Sequence, residues 1–189
     1  MSRIRIALSI LALLGGFGIM AISLGAANPV WSSEGGATQL RFYVDDEILP
    51  DHVLYPGLMA VDRLRLEAAE EPRDRMLLEI EFANRRLKYA QALVVKNNPG
   101  LALTTATKAE KYLIHAIQGA VDHTSLSTAD REYVLRAAAY HKLVMVELMT
   151  QLPGLNTTVL LNLREQIEGL ELRLHQVQSD ATSTSSEMI

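Results

Sequence analysis

Five histidines are the side chains of this sequence that most readily bind a metal ion or change charge near neutral pH. They are His52, His115, His123, His141 and His175. No two of them have the three- or four-residue spacing that places two imidazoles on one face of a helix. The spacing therefore predicts no metal site, and we expect no cofactor. A metal site would require folding to bring distant histidines together.

His141 is the candidate switch residue. It lies on a stripe of side chains three and four positions apart, in a stretch that is apolar almost all round: Val134, Ala138, His141, Met145 and Leu148. Two interpretations remain open. A buried histidine can act as a pH-sensitive switch, because its charge responds to burial and to partners. It can also be a core residue whose ring nitrogens bond to neighbouring groups.

The residues of known catalytic constellations do not occur in their required contexts. Serine is never found in the Gly-x-Ser-x-Gly turn between a strand and a helix. The carboxylate pairs Asp45-Asp46 and Glu70-Glu71 fall in loops or at predicted element ends, where capping or solvation is their ordinary role. The absence of cysteine excludes a thiol nucleophile, thiolate metal ligands and disulfides. We expect no enzyme activity and no catalytic residue.

The charge distribution argues against nucleic acid as a partner. The formal net charge is -4, and no basic run exists. Positive residues are concentrated in the first two predicted helices, and Arg85, Arg86 and Lys88 form the candidate docking face for an anionic partner. We expect Arg86 on the exposed side of its helix. Because acidic residues are interleaved, a solvated surface is the alternative.

Residues 4–27 form an apolar run that contains one charge, Arg5, and is long enough to cross a membrane. Arg3 and Arg5 near its start predict a cytoplasmic N-terminus and an exported remainder. Residues 1–27 are therefore a single-pass membrane anchor. A cleaved signal sequence is the alternative, because Gly25-Ala26-Ala27 offers small residues to a peptidase. Residues 28–47, rich in Gly and Ser, predict a flexible tether.

Residues 48–178 carry helical periodicity throughout, with no sustained alternation of period two. Proline and Asn-Pro-Gly punctuation predicts helices over 56–70, 72–96 and 101–121. Ser127 with Asp130 predicts a capping box for a fourth helix that ends before Pro153, and Asn156 or Thr157 caps a fifth. Leu54 and Met59 occupy the positions of a hydrophobic staple at the first helix. The fold class is all-α: an antiparallel bundle of about five helices, followed by a disordered tail at 179–189.

Four stretches carry a family resemblance: Leu49-Pro50, Leu54-Tyr55-Pro56, "FANRRL" at 82–87 and "ALTTATKAEKYL" at 102–113. Together they resemble a bacterial domain-of-unknown-function family, number 5667, over residues 48–120. The chain departs from that pattern with His52-Val53 where Ser-Pro is expected. The resemblance implies an exported or membrane-tethered helical domain on the bacterial cell membrane, and it implies no activity.

These observations predict a membrane-anchored extracytoplasmic helical bundle that serves as an interaction, sensing or structural module. Its partners would be the membrane, through residues 4–27, and another protein or a second copy of itself. The alternative is a periplasmic-type ligand- or metal-responsive sensor that uses buried or clustered histidines.

Overall fold

The computed structural model describes residues 48–186, with side chains through residue 180. Within that range every regular element is a helix. The helices are α1 (Tyr55–Ala68), α2 (Pro72–Val95), α3 (Pro99–Asp122), α4 (Thr128–Gln151) and α5 (Thr158–Ser186). The predicted all-α bundle of five helices is confirmed. The predicted anchor and tether lie outside the described residues, and no described helix is long and apolar enough to cross a membrane.

Side-chain contacts between helices establish their relative directions. Arg73 at the start of α2 binds Asp130 at the start of α4, and Asn84 farther along α2 binds His141 of α4. Both pairs are 57 positions apart, so α2 and α4 run parallel. In the contacts of α1 with α2, and in those of α3 with α4, residue numbers rise along one helix as they fall along the other. These neighbouring helices are therefore antiparallel.

The α2–α3 hairpin forms the most extensive helix contact of the bundle. Small side chains on the inner face of α3 let the two helices approach closely. Between them, Asn97 adopts a positive φ of 56°. The Asn98 amide donates to the Leu93 carbonyl and the Asn97 amide to that of Val94, which is a Schellman termination. Pro99 then begins α3, where a proline needs no backbone N–H partner.

The core consists of stripes of side chains three and four positions apart on α2 to α5. The following residues are fully or nearly fully buried: Met76, Ile80, Ala83, Leu87, Ala90, Ala106, Ala109, Leu113, Ala116, Ala120, Val134, Ala138, Met145, Leu148, Leu160, Leu163, Ile167, Leu170 and Leu174. Because all four helices α2 to α5 contribute, burial of apolar surface holds them as one unit.

The N-terminus of α4 has the capping box that the sequence predicts. The Ser127 hydroxyl accepts from the Asp130 amide, and the Asp130 carboxylate accepts from the Ser127 amide. The pKa of Asp130 is lowered: burial opposes ionisation, but hydrogen bonds from Ser127 and Arg73 outweigh it. The cap of α4 therefore also ties this helix to α2.

The start of α1 differs from the predicted staple. The helix begins at Tyr55, one residue before the proline, and Leu54 remains exposed. Met59 instead contacts the guanidinium of Arg86 through its sulfur. The Tyr55 ring packs edge-on against Tyr89 of α2 at a centroid distance of 6.3 Å. The contacts that orient α1 are therefore made with α2 rather than with the preceding turn.

The C-terminal end of α5 also differs from the prediction. A disordered tail was expected from Ser179, whereas the helix continues through Ser186. The Ser179 hydroxyl donates to the carbonyl of His175 one turn earlier. That bond satisfies a serine hydroxyl within a helix, so a polar composition alone does not end α5.

Candidate functional site

A buried ionic cluster joins α1 to α2. Asp62 of α1 is only 1% exposed, and its carboxylate accepts hydrogen bonds from both Arg85 and Arg86. Arg86 is 2% exposed and also donates to the carbonyl of Phe82. Its guanidinium lies 4.4 Å from the centre of the Tyr112 ring. Arg86 is thus a buried structural residue, and its predicted placement on an exposed face is wrong.

The ionic cluster continues toward the C-terminal end of α1. Arg65 makes a bidentate pair with Glu81, with bonds of 3.0 and 3.1 Å. Its guanidinium and that of Arg85 both lie near the face of Phe82. Burial, and to a smaller extent the charge of Asp62, raise the pKa of Tyr55. Ionic and aromatic contacts, with little aliphatic burial, therefore hold α1 on α2.

The candidate docking face on α2 is not a continuous charged surface. Arg85 is mostly buried and paired with Asp62, and Arg86 is enclosed. Lys88 is the one member of the predicted trio that is exposed. Since both arginines are held inside the protein by the shared carboxylate of Asp62, a partner on this face would meet Lys88 without the other two.

His141 lies in a buried polar network in the middle of the bundle. Its side chain is 0% exposed, and so is that of Glu110. The ring Nδ1 lies 3.1 Å from the Glu110 carboxylate, and Nε2 lies 3.0 Å from the Asn84 amide oxygen. One histidine thereby connects α2, α3 and α4. Both ring nitrogens have partners, as in a core histidine, and the switch role stays a prediction.

A polar cleft of about 460 Å³ opens between α2, α3 and α5. It is lined by Pro72, Arg75, Met76, Glu79, Ile114, His115, Gln118, Gly119, His123 and Gln166. Glu79 is 5% exposed, and its carboxylate lies 3.6 Å from the Arg75 guanidinium. Burial raises the pKa of Glu79 to about 6, and the charge of Arg75 offsets only part of that effect.

Two of the five histidines line this polar cleft, and both lie toward the C-terminal end of α3. His115 and His123 both line it, although eight positions separate them along the chain. His52 instead accepts the Leu54 amide near the start of α1, and His175 lies on α5. No group of three histidine or carboxylate side chains in the described residues is arranged to hold a metal ion.

The outer face of α4 is the surface that the sequence reasoning missed. Tyr140 is 46% exposed and Leu143 is 70% exposed, and Tyr133 and Val146 are also partly exposed. All four lie outside the buried stripe that contains His141 and Met145, and the Tyr140 ring also packs edge-on against the His141 ring at a centroid distance of 6.1 Å. The sequence does indicate this surface. Because α4 is apolar on nearly all sides and a helix at the edge of a bundle buries only one side, part of its apolar surface must remain exposed.

The fold defines a class: a small all-α bundle with a buried polar network, a polar cleft and an apolar outer face on α4. The chain belongs to the family described as Domain of unknown function (DUF5667), whose model matches residues 47–179. The resemblance read from the sequence is thereby confirmed. No curated protein and no solved structure matches the chain.

Proposed function

We propose that the protein is a membrane-anchored extracytoplasmic module that docks another protein chain on the outer face of α4. The observation that carries this proposal is the exposure of Leu143 beside Tyr140 on a helix whose opposite stripe is fully buried. Single exposed apolar residues are ordinary in soluble proteins. Several on one helix face, with tyrosine among them, are typical of an interaction surface.

The charges around this face suit a protein partner. Arg136 and Glu132 form a loose pair at 3.8 Å on the exposed side of α4, and Glu147 lies on the same side. An apolar centre with charges of both signs at its rim is the usual anatomy of a protein interface. A lipid surface would instead favour a predominance of basic residues, which this face does not have.

The apolar run at residues 4–27 supports the anchoring part of the proposal. An anchor of this kind confines the bundle to the membrane surface, where any partner in the same membrane is present at high effective concentration. A modest docking surface on α4 is then sufficient for association. Docking would require no reaction at the bundle.

Site-specific photo-crosslinking in the native membrane tests the docking face. A photoreactive amino acid replaces Leu143 in the full chain, and a matched variant carries it at Lys88, which is exposed on α2. We expect a discrete heavier band from position 143 and none from position 88. A band from Lys88 alone would favour the basic face of α2 over α4. No band from either position would refute docking through both faces.

The polar cleft supports a second candidate function, the binding of a small polar ligand. Arg75 and Glu79 place opposite charges at one cleft, and His115 and His123 add two imidazoles. This set of groups suits a zwitterion such as a free amino acid, with its carboxylate near Arg75 and its ammonium near Glu79.

Thermal unfolding of the full chain in the presence of individual amino acids tests the second candidate. We expect one of them to raise the midpoint in the wild type and to have no effect on the Arg75→Gln variant, which lacks the cation assigned to the ligand carboxylate. Equal shifts in both proteins would show that the polar cleft is not the site. Zinc chloride tested alongside distinguishes a metal response from an amino-acid response.

A further inference from the structure

Four exposed residues of α4 form a stripe with alternating spacings of four, three and four: Arg136, Tyr140, Leu143 and Glu147. At 100° per residue all four fall within a 60° arc of the helix surface. The same spacing forms the seam between two packed helices. We call this set the outer stripe of α4.

The outer stripe is complementary to itself when reversed. It reads positive, aromatic, aliphatic and negative along the chain. If two copies of α4 pack antiparallel about a two-fold axis near residues 141 and 142, Arg136 of each copy faces Glu147 of the other. Tyr140 of each then faces Leu143 of the other. We propose that a second copy of this chain occupies the α4 face, forming a two-fold antiparallel α4–α4 contact.

The charges of the outer stripe favour this arrangement over its alternatives. A parallel pairing in register would place Arg136 against Arg136 and Glu147 against Glu147, which is repulsive. Arg136 and Glu147 cannot pair within one helix, because eleven residues separate them by about 16 Å along the axis. The contacts that they make inside the chain are weak. Arg136 makes a 3.8 Å pair with Glu132 and lies 6.0 Å from the centre of the Tyr133 ring, and Glu147 accepts a hydrogen bond from the neutral amide of Gln151.

A contact of one helix on one helix is smaller than a standard stable interface, so we expect a weak dimer in dilute solution. Anchoring both copies in one membrane would raise their effective concentration and compensate for the small area. The inference therefore rests on the proposed function, and it names the partner and the register of docking.

A charge-swap experiment on the full chain in its native membrane tests the inference. The chain has no cysteine, so Leu143→Cys introduces a single thiol for a short bismaleimide cross-linker. Two copies of position 143 are offset by about 4.5 Å along the axis in the proposed dimer, and two copies of position 132 by about 28 Å. We expect a dimer band from Leu143→Cys and none from Glu132→Cys.

The charge variants are then combined with Leu143→Cys, on copies of different size. In a dimer of Arg136→Glu, glutamate faces glutamate at both ends of the contact. In a dimer of Glu147→Arg, arginine faces arginine at both ends. Each single variant should therefore reduce the dimer band about tenfold. Co-expression of the two single variants restores both charge pairs, and we expect the mixed dimer to return. The double variant Arg136→Glu/Glu147→Arg should recover in the same way. Circular dichroism on each variant verifies that the helices remain folded.

Each alternative outcome has a separate meaning. If all the charge variants cross-link equally well, the copies meet elsewhere and the antiparallel contact is refuted. If both single variants lose the band and the mixture does not restore it, Arg136 does not face Glu147. A photo-crosslink from position 143 to a different protein would overturn self-association while the docking proposal stands. No adduct at position 143 in either experiment would refute both.

Discussion

Glu79 should destabilise the folded bundle at neutral pH, and Glu79→Gln should relieve that effect. Its carboxylate is almost fully buried beside Arg75, and its pKa rises from 4.5 to about 6 in the folded protein. Between those two values the folded state binds more protons than the unfolded state. The free energy of unfolding therefore falls as the pH rises from 4.5 to 6, and the loss persists above that range.

The size of the effect follows from the pKa difference. A shift of about 1.5 units corresponds to about 2 kcal/mol, at about 1.4 kcal/mol per unit. Glutamine has nearly the shape of the protonated acid and carries no charge. We therefore expect Glu79→Gln to increase the free energy of unfolding by about 1–2 kcal/mol at pH 7, and to leave it nearly unchanged at pH 4.

Urea unfolding of the full chain, followed by far-ultraviolet circular dichroism from pH 4 to pH 8, measures this difference. Glu165→Gln removes an exposed carboxylate on α5 and serves as the control, with an expected change below about 0.5 kcal/mol at every pH. If Glu79→Gln were instead less stable than the wild type at pH 7, attraction to Arg75 would outweigh burial. A difference that does not vary with pH would show that the charge of Glu79 is not the cause.

Three further substitutions test the buried polar contacts. Asp62→Asn should lower the free energy of unfolding by about 3 kcal/mol, because the ionic cluster loses its shared carboxylate. A loss below about 1 kcal/mol in urea unfolding would contradict that role. His141→Leu should cost about 3–5 kcal/mol by leaving the Glu110 carboxylate uncompensated, and adding Glu110→Leu should recover much of the loss. If the double variant is no more stable than the single one, the pair is not coupled. Asp130→Ala should cost about 1 kcal/mol at pH 7 through the lost cap. Because the pKa of Asp130 is lowered, that cost should shrink as the pH falls below 3.8, which thermal unfolding at pH 7 and pH 3 would show.

The parts of the fold that could be predicted from the sequence are those that depend on residues close together along the chain. Helical periodicity identified the buried stripe of α4, and Ser127 with Asp130 identified the cap of that helix. Arg86 was misplaced because the carboxylate that compensates it, Asp62, belongs to another helix and to no pattern that includes both. Helical periodicity is a property of a single helix, so it does not indicate which charged side chains pair between two helices.

The candidate sites depend even more on tertiary structure. His115 and His123 lie two turns apart at the end of α3, and the polar cleft that both line forms only when α2 and α5 pack against that helix. His141 was correctly placed on the buried stripe of α4, but its partners Glu110 and Asn84 lie 31 and 57 positions away. The outer stripe of α4 was not recognised, because which apolar side of a helix remains exposed depends on where its neighbours lie.

The ionic attachment of α1 has a mechanical consequence. Among the described helices α1 contacts α2 alone, and Leu58 is its one buried aliphatic residue. Tension applied from the N-terminal side reaches α1 before the apolar core of α2 to α5. Extending its 14 residues from a helix to a strand-like chain adds about 30 Å. We expect optical tweezers to record a first step of this length at low force, with the rest of the bundle intact. Under tension α1 would therefore detach and unfold before the other helices.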